Sequence, residues 1–328
     1  MSVLVTGGAG YIGSHMVLRL ADAGERVVVL DNLVTGFDWA VDHRATLVEG
    51  SAGDMDLVGR LIEEHAISEI VHFAGSIVVP ESVANPLKYY ANNTATSRNL
   101  IEAAVKGGVR HFVFSSTAAV YGMTGLAPVV EETPLSPISP YGRSKLMTEW
   151  MLADVAAAHP MTYGVLRYFN VAGADPQKRS GQSTPQATHL IKVACQAALG
   201  QREKVHIFGT DYETPDGTGV RDYIHVTDLI EAHALLLEHL RAGGENQTLN
   251  CAYGRGYSVR EVIDTVKAVS GVDFKVEESP RRAGDPASIT ATGEKVRAVL
   301  GWDPRHDDLR EIVRTAYEWE EHLMRRNR

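Results

Sequence analysis

Short apolar runs alternate with stretches of helical period along the first half of the chain. Val3-Leu4-Val5 reads as a strand, a helical pattern runs from about Tyr11 to Ala23, and Arg26 to Leu30 reads as the next strand. The alternation continues with a helix near Asp56 to His65, a strand at Glu69 to Phe73, a long helix from about Pro80 to Lys106 and a strand at His111 to Ser115. This order, with short connections, predicts an α/β fold with a doubly wound parallel sheet, whose ligands bind beyond the carboxyl ends of the strands. No repeat of solenoid length and no low-complexity linker breaks the pattern.

What lies at those strand ends carries the chemistry. The first strand runs into Thr6-Gly7-Gly8-Ala9-Gly10-Tyr11-Ile12-Gly13 and then a helix, the order a phosphate cradle requires. Gly7 and Gly8 permit the tight turn, Gly10 lets backbone amides approach a pyrophosphate, and Gly13 lets the helix pack close to the strand. The second strand ends at Asp31, whose carboxylate can accept both ribose hydroxyls of NAD and repels a 2′-phosphate. Glycines alone only make turns; with the strand, the helix and Asp31 they make a Rossmann-type dinucleotide site. At later strand ends, Phe73-Ala74-Gly75 offers a second close backbone approach and Ser115-Ser116-Thr117 offers hydroxyls. Asp54 can accept from an adenine amino group or simply cap the helix that follows it. Asn92 and Asn93 lie inside the long helical stretch, where they either interrupt it through a polar contact or face solvent.

Ser139 to Glu149 reads S-P-Y-G-R-S-K-L-M-T-E. A helix starting at Pro140 puts Tyr141 and Lys145 on one face, about 5–6 Å apart at Cβ. Coulomb's law at about 5 Å and an effective dielectric of about 20 predicts that the ammonium takes about two pK units off the phenol. Tyr141 is then a usable proton acceptor near neutral pH. Alone, such a pair is an ordinary solvated helix face; beside a dinucleotide site, with Thr117 one loop away, it reads as catalytic.

Composition narrows the setting. With 44% apolar and 22% charged residues and a net charge of −9, the chain reads as globular, with no general affinity for nucleic acid or anionic membrane. No run of about 20 apolar residues suggests a membrane span, and Met1 to Thr6 shows no signal-peptide pattern. Cys195 and Cys251 read as buried thiols, no metal site is expected, and the cytoplasm is the expected compartment.

Taken in order, the glycine motif, Asp31, Ser115-Ser116-Thr117 and Y-G-R-S-K make the sequence resemble the extended short-chain dehydrogenase/reductase family, and within it the NAD-dependent nucleotide-sugar epimerases. The match continues through Arg167-Tyr168-Phe169-Asn170, Phe208 to Tyr212, Asp216 to His225 and Arg281 to Asp285. The resemblance implies Thr117, Tyr141 and Lys145 as the catalytic group. It also implies an NAD site including Gly7, Gly10, Tyr11, Ile12, Gly13, Asp31, Asn32, Asp54, Phe73, Ala74, Gly75, Asn92, Ser115, Tyr141, Lys145 and Tyr168. Thr117, Tyr141, Asn170, His189, Leu190, Phe208, Arg221, Tyr223, Arg282 and Asp285 are implied to hold a UDP-sugar, and paired guanidiniums at Arg221 and Arg282 suit its pyrophosphate.

The activity this implies is reversible C4 epimerisation of a UDP-hexose, UDP-glucose and UDP-galactose first, through hydride transfer to NAD and a 4-keto sugar. The alternatives are N-acetylhexosamine or pentose substrates, a nucleotide-sugar reductase, or an NAD-sensing protein without catalysis. Dehydratases of the family place an Asp-Glu pair after the catalytic Thr; here Ala118 and Ala119 stand there. The expected organisation is an NAD-binding domain at 1–169, with 226–254 returning to it, and a smaller α/β substrate domain from 170–225 and 255–328. A homodimer is implied, through helices around Pro80 to Lys106 and Tyr141 to Ala158 that carry apolar residues beyond one stripe. Three positions depart from the family pattern: Ser76-Ile77-Val78 where a Lys usually follows Phe-Ala-Gly, His189 where an Asn precedes Leu190, and Ile289 where a Tyr often stands beside the hexose.

Overall fold

β1 (Ser2–Thr6) is buried at every position, as a strand covered on both faces must be. In the computed structural model, which describes residues 2–184, 187–282 and 286–326, it sits inside a seven-stranded sheet. The first half runs β1, α1 (Tyr11–Asp22), β2 (Arg26–Asp31), β3 (Thr46–Glu49), α2 (Met55–Glu64) and β4 (Ile67–His72). It continues through α3 (Val79–Ala84), α4 (Pro86–Tyr89), a π turn at Tyr90–Ala95, α5 (Thr96–Lys106), β5 (His111–Ser115), α6 (Pro140–Ala158) and β6 (Thr162–Tyr168). The second half contributes β7 (Asn170–Ala172), α7 (Leu190–Ala198), β8 (Val205–Phe208), β9 (Val220–Arg221), β10 (Tyr223–His225), α8 (Val226–Arg241) and β11 (Gln247–Cys251). After these come β12 (Tyr257–Ser258), α9 (Val259–Ser270), β13 (Val276–Ser279), β14 (Ser288–Ile289), α10 (Glu294–Leu300) and α11 (Leu309–Arg326).

The large sheet has the order β11-β6-β5-β4-β1-β2-β3 and every neighbouring pair is parallel. The doubly wound fold expected from the sequence is therefore present. Alternate residues of β1 serve opposite cores: Val3 and Val5 pack with Met16, Val17 and Leu20 of α1, while Leu4 packs with Ile70, Phe112, Phe114 and Leu152. Winding reverses between β1 and β4, so the loops after these two strands bound the crevice where ligands of such sheets bind. β11 extends the sheet beyond β6 in register Gln247↔Gly164 to Cys251↔Tyr168. Smaller sheets pair β7 with β10, β8 with β13, and β9 with both β12 and β14.

The one long helix expected from Pro80 to Lys106 is broken. Asn85 ends α3 and its side chain caps α4, which opens on Pro86, a residue with no N–H to continue a helix. The π turn then accommodates Asn93, whose buried amide leaves the helix face: Oδ1 accepts from the Ser76 amide at 2.7 Å and Nδ2 donates to Ser76 O and Ser144 Oγ, both at 3.0 Å. Asn92 stays exposed, donating to Ser76 Oγ at 2.8 Å. Of the two asparagines, Asn93 interrupts the helix and ties it to the loop after β4.

Candidate active site

The loop after β1 is shaped by close backbone approach. Gly7 has φ of 73°, and a Cβ on it would lie 2.6 Å from the Ala74 amide nitrogen, so the loops after β1 and β4 touch at the reversal point. A Cβ on Gly13 would lie 2.1 Å from the Gly7 carbonyl oxygen. Gly10 is the N-cap of α1 and supplies no side-chain acceptor to its first turn. The dipole and these amides therefore suit an anion. Asp31, buried at the end of β2, accepts from the Ala9 amide at 3.0 Å and the Leu33 amide at 2.8 Å, which fixes its carboxylate beside the glycine loop with lone pairs to spare. A dinucleotide fits this cradle: at Gly10 a Cβ would meet only the Gly7 carbonyl oxygen, at 3.3 Å, which leaves the first-turn amides open, and an oriented carboxylate stands beyond them.

Some predicted residues serve their own loops in this structure. Asp54 caps α2, accepting from the Asp56 and Leu57 amides, and Asn32 accepts from the Val34 amide. Tyr11 is half-buried and donates to the Gly173 carbonyl at 2.7 Å, joining the glycine loop to the segment after β7.

At the end of β5 the catalytic candidates come together. Ser139 caps α6 by accepting from the Gly142 amide at 3.1 Å, and Pro140 occupies the first turn. A Cβ on Gly142 would lie 2.5 Å from the Ala119 carbonyl oxygen, so only glycine lets α6 start this close to the Thr117 turn. Thr117 accepts from the Ala119 amide at 3.2 Å, and its hydroxyl draws the pKa of the Tyr141 phenol downward. Lys145 Nζ, buried, donates to the Ser115 carbonyl at 2.9 Å and lies 4.8 Å from the centre of the Phe114 ring. A Cβ on Gly75 would be 3.8 Å from that nitrogen. The Ser115 hydroxyl bonds the Tyr168 phenol at 2.5 Å. Thus Gly75, Ser115, Thr117, Tyr141, Lys145 and Tyr168 surround one space above β4, β5 and β6.

The electrostatics differ from the sequence expectation. Burial pushes the Tyr141 phenol above its ordinary value, and the nearby Thr117 hydroxyl opposes only part of this. Burial also lowers Lys145 to about 8, with Glu149 acting in the opposite direction. Coulomb's law had counted the neighbouring charge and left out the desolvation of both groups, which dominates here. His72, sandwiched by Phe112 and Phe114 and bonded to Thr6 and Ser97, is pushed down to about 3 by burial and by Lys145, and is neutral.

The substrate candidates line the second half. Asn170 opens β7 and its amide donates to the Asp222 carbonyl. Arg221 and Tyr223 flank Asp222 at β9 and β10, and Ile289 pairs with Arg221. Arg282 lies over Phe208 with its guanidinium 3.8 Å from the ring centre. Leu190 begins α7; His189 precedes it, its Nδ1 buried without a partner, beside Tyr11, Lys192 and Trp319. Asp285 lies outside the described residues.

Several residues that shape the site are not among the catalytic, cofactor or substrate candidates named from the sequence. Asn93, for which the sequence leaves a polar contact and a solvated face open, makes the polar contact. Glu149, Arg167 and Ser116 form a buried cluster behind Lys145. Asp222 is buried, with one carboxylate oxygen unpartnered and the other accepting from the Tyr253 amide at 3.5 Å. The spacing of four from Lys145 to Glu149 was a usable signal; nothing in the sequence marks Asp222.

The fold and site define a class. The chain belongs to the NAD dependent epimerase/dehydratase family, whose pattern matches residues 3–252. Within that class it is similar to UDP-glucose 4-epimerases. The enzyme of that name from Azospirillum brasilense is 56% identical over 321 residues, covering 98% of this chain and 92% of its own. That from Halalkalibacterium halodurans is 46% identical, covering 97% of this chain and 95% of its own. The crystal structure of UDP-glucose 4-epimerase from Brucella ovis in complex with NAD superposes with a TM-score of 0.94 at 43% identity, covering 97% of each chain. The resemblance drawn from the sequence motifs is borne out.

Proposed function

We propose that this chain is an NAD-dependent isomerase that interconverts UDP-glucose and UDP-galactose at C4. The observation that carries the reading is Tyr141 and a buried Lys145 one helical turn apart at the start of α6, packed through Gly142 against the Thr117 turn, where the loops of a dinucleotide cradle meet. Gly7, the first-turn amides of α1, Asp31, Phe73 to Gly75, Ser115, Lys145 and Tyr168 hold NAD. Bound NAD would supply the hydride acceptor for C4 and, once reduced, the donor to the opposite face, so the cycle is redox-neutral. Tyr141 takes the proton from the 4-hydroxyl and later gives it back to the 4-keto sugar. Thr117, beside the phenol, holds a sugar oxygen, and the Lys145 charge favours the phenolate that must be present to accept the proton. Arg221 and Arg282 grip the pyrophosphate while the sugar turns over.

Residues 1–169 with 226–254 form the cofactor domain in this reading, and 170–225 with 255–328 the substrate domain; the β11–β6 pairing supports it. The exposed Val83, Leu87 and Trp150, on α3, α4 and α6, form the proposed homodimer face. Both cysteines are free and buried, no described helix is long and apolar enough to cross a membrane, and the proposed setting is the cytoplasm. The test is incubation with UDP-glucose, UDP-N-acetylglucosamine and UDP-xylose separately, with products read by proton NMR. UDP-galactose should form fastest. Tyr141→Phe should lower kcat by about 10²–10⁴-fold while UDP binding survives; near-normal turnover sinks the assignment.

A further inference from the structure

We propose that Glu149 is a positioning residue for the catalytic pair: its carboxylate locks α6 onto the end of β5 and faces the Lys145 ammonium as its buried counter-charge. The proposal rests on the reading of Tyr141 and Lys145 given above. Two consecutive residues at the end of β5 engage two α6 residues spaced by four: the Ser115 carbonyl accepts from Lys145 Nζ at 2.9 Å and Ser116 Oγ donates to Glu149 Oε1 at 2.5 Å. A slip of α6 would break both together.

Glu149 is itself held. Arg167 of β6 donates Nε to Oε1 at 3.1 Å and an Nη to Oε2 at 2.6 Å, and both side chains are about 6% exposed. Arg167 donates also to the Tyr121 phenol at 3.0 Å, and Tyr121 to Asn250 Oδ1 at 2.7 Å, so the carboxylate is anchored through to β11. A buried ion pair is no economical way to stabilise a fold, since apolar residues of the same volume do as well or better. One placed a helical turn beyond a buried lysine serves that lysine. The charged and titratable groups facing Lys145 are Tyr141 and Glu149 on its own helix, neutral His72 from β4, and Arg167 from β6 through the shared carboxylate. Glu149 alone among them favours the ammonium, against the burial that lowers it to about 8.

The test is a carbon-13 NMR titration of protein labelled at lysine Cε, with the Lys145 resonance assigned by its loss in Lys145→Arg; it needs no turnover. Glu149→Gln should lower the Lys145 midpoint by about two pH units, since a unit charge at about 6 Å and a dielectric of about 20 is worth about that much and Arg167 is present in both proteins. Because that variant strands Arg167, the pair Glu149→Gln with Arg167→Gln is titrated beside it and should move the midpoint down by less. Glu149→Asp keeps the charge and should keep the midpoint. An unmoved midpoint in the Gln variants, or an equal fall in Glu149→Asp, overturns the proposal. The basic limb of kcat/KM should follow the midpoint. A parent that turns over no UDP-sugar contradicts the epimerase reading alone.

Discussion

Replacing Gly13 with alanine puts a methyl carbon 2.1 Å from the Gly7 carbonyl oxygen, 2.8 Å from Gly7 C and 2.9 Å from Gly8 Cα. All three are backbone atoms, so no side chain can swing aside. Either α1 retreats by about an ångström or the glycine loop opens. The helix is held by Met16, Val17 and Leu20 in the core, so the strain is shared between both. Overpacking of this kind costs about 1–3 kcal/mol, which for a chain of this size is a fall in Tm of about 2–8 °C. NAD should suffer more directly: an ångström of displacement breaks at least one charge-assisted amide bond to the pyrophosphate, worth about 1.5–3 kcal/mol, or about 10–100-fold in Kd. Calorimetric titration with NAD and a thermal melt measure the two effects. Gly59→Ala is the control, since an added Cβ there meets nothing within 4 Å and an alanine in α2 gains about 0.5–1 kcal/mol. Gly13→Ala binding NAD within about twofold of the parent, at an unchanged Tm, would refute the cradle reasoning.

Three other perturbations probe separate links. Burial pushes the Asp222 carboxyl up to about 7 from an ordinary value of 3.8. The folded state thus holds that proton more firmly than the unfolded chain, and the parent loses stability as pH rises from about 4 through 7. Asp222→Asn lacks this titration, so its Tm should gain on the parent between pH 5 and pH 8; a constant difference contradicts the argument. Ile77, 51% exposed just beyond Gly75, stands where the family carries a lysine. Ile77→Lys should slow NAD loss during gel filtration by up to about fivefold, the reach of one exposed charge, and unchanged retention would place the cofactor phosphates elsewhere. Trp150→Glu should leave a monomer in sedimentation velocity, and a dimer that survives it uses another face.

The sheet was legible because its information is local. Apolar runs such as Val3-Leu4-Val5, the glycines that follow, and Asp31 at the next strand end each declare their place within a few residues. Thr117, Tyr141 and Lys145 could likewise be found by order and spacing. The break in the helix at 85–95 was less visible, since it depends on Asn93 meeting Ser76 and Ser144 across 17 and 51 positions of chain. The ionisation of Tyr141 and Lys145 is less legible, because spacing gives the charge beside Tyr141 but not the water removed from around it. Asp222 and the Glu149–Arg167 cluster owe their properties to burial among distant segments, for which a sequence pattern carries no marker.

The central claim is that hydride leaves C4 and returns to C4 of the same sugar without leaving the site. Incubating the protein with UDP-glucose deuterated at C4, and following carbon-4 by proton and deuterium NMR together with absorbance at the NADH band, tests it most directly. UDP-galactose should appear with the deuterium retained at C4 and no net NADH. Deuterium lost to solvent, or NADH accumulating in proportion to product, would contradict it.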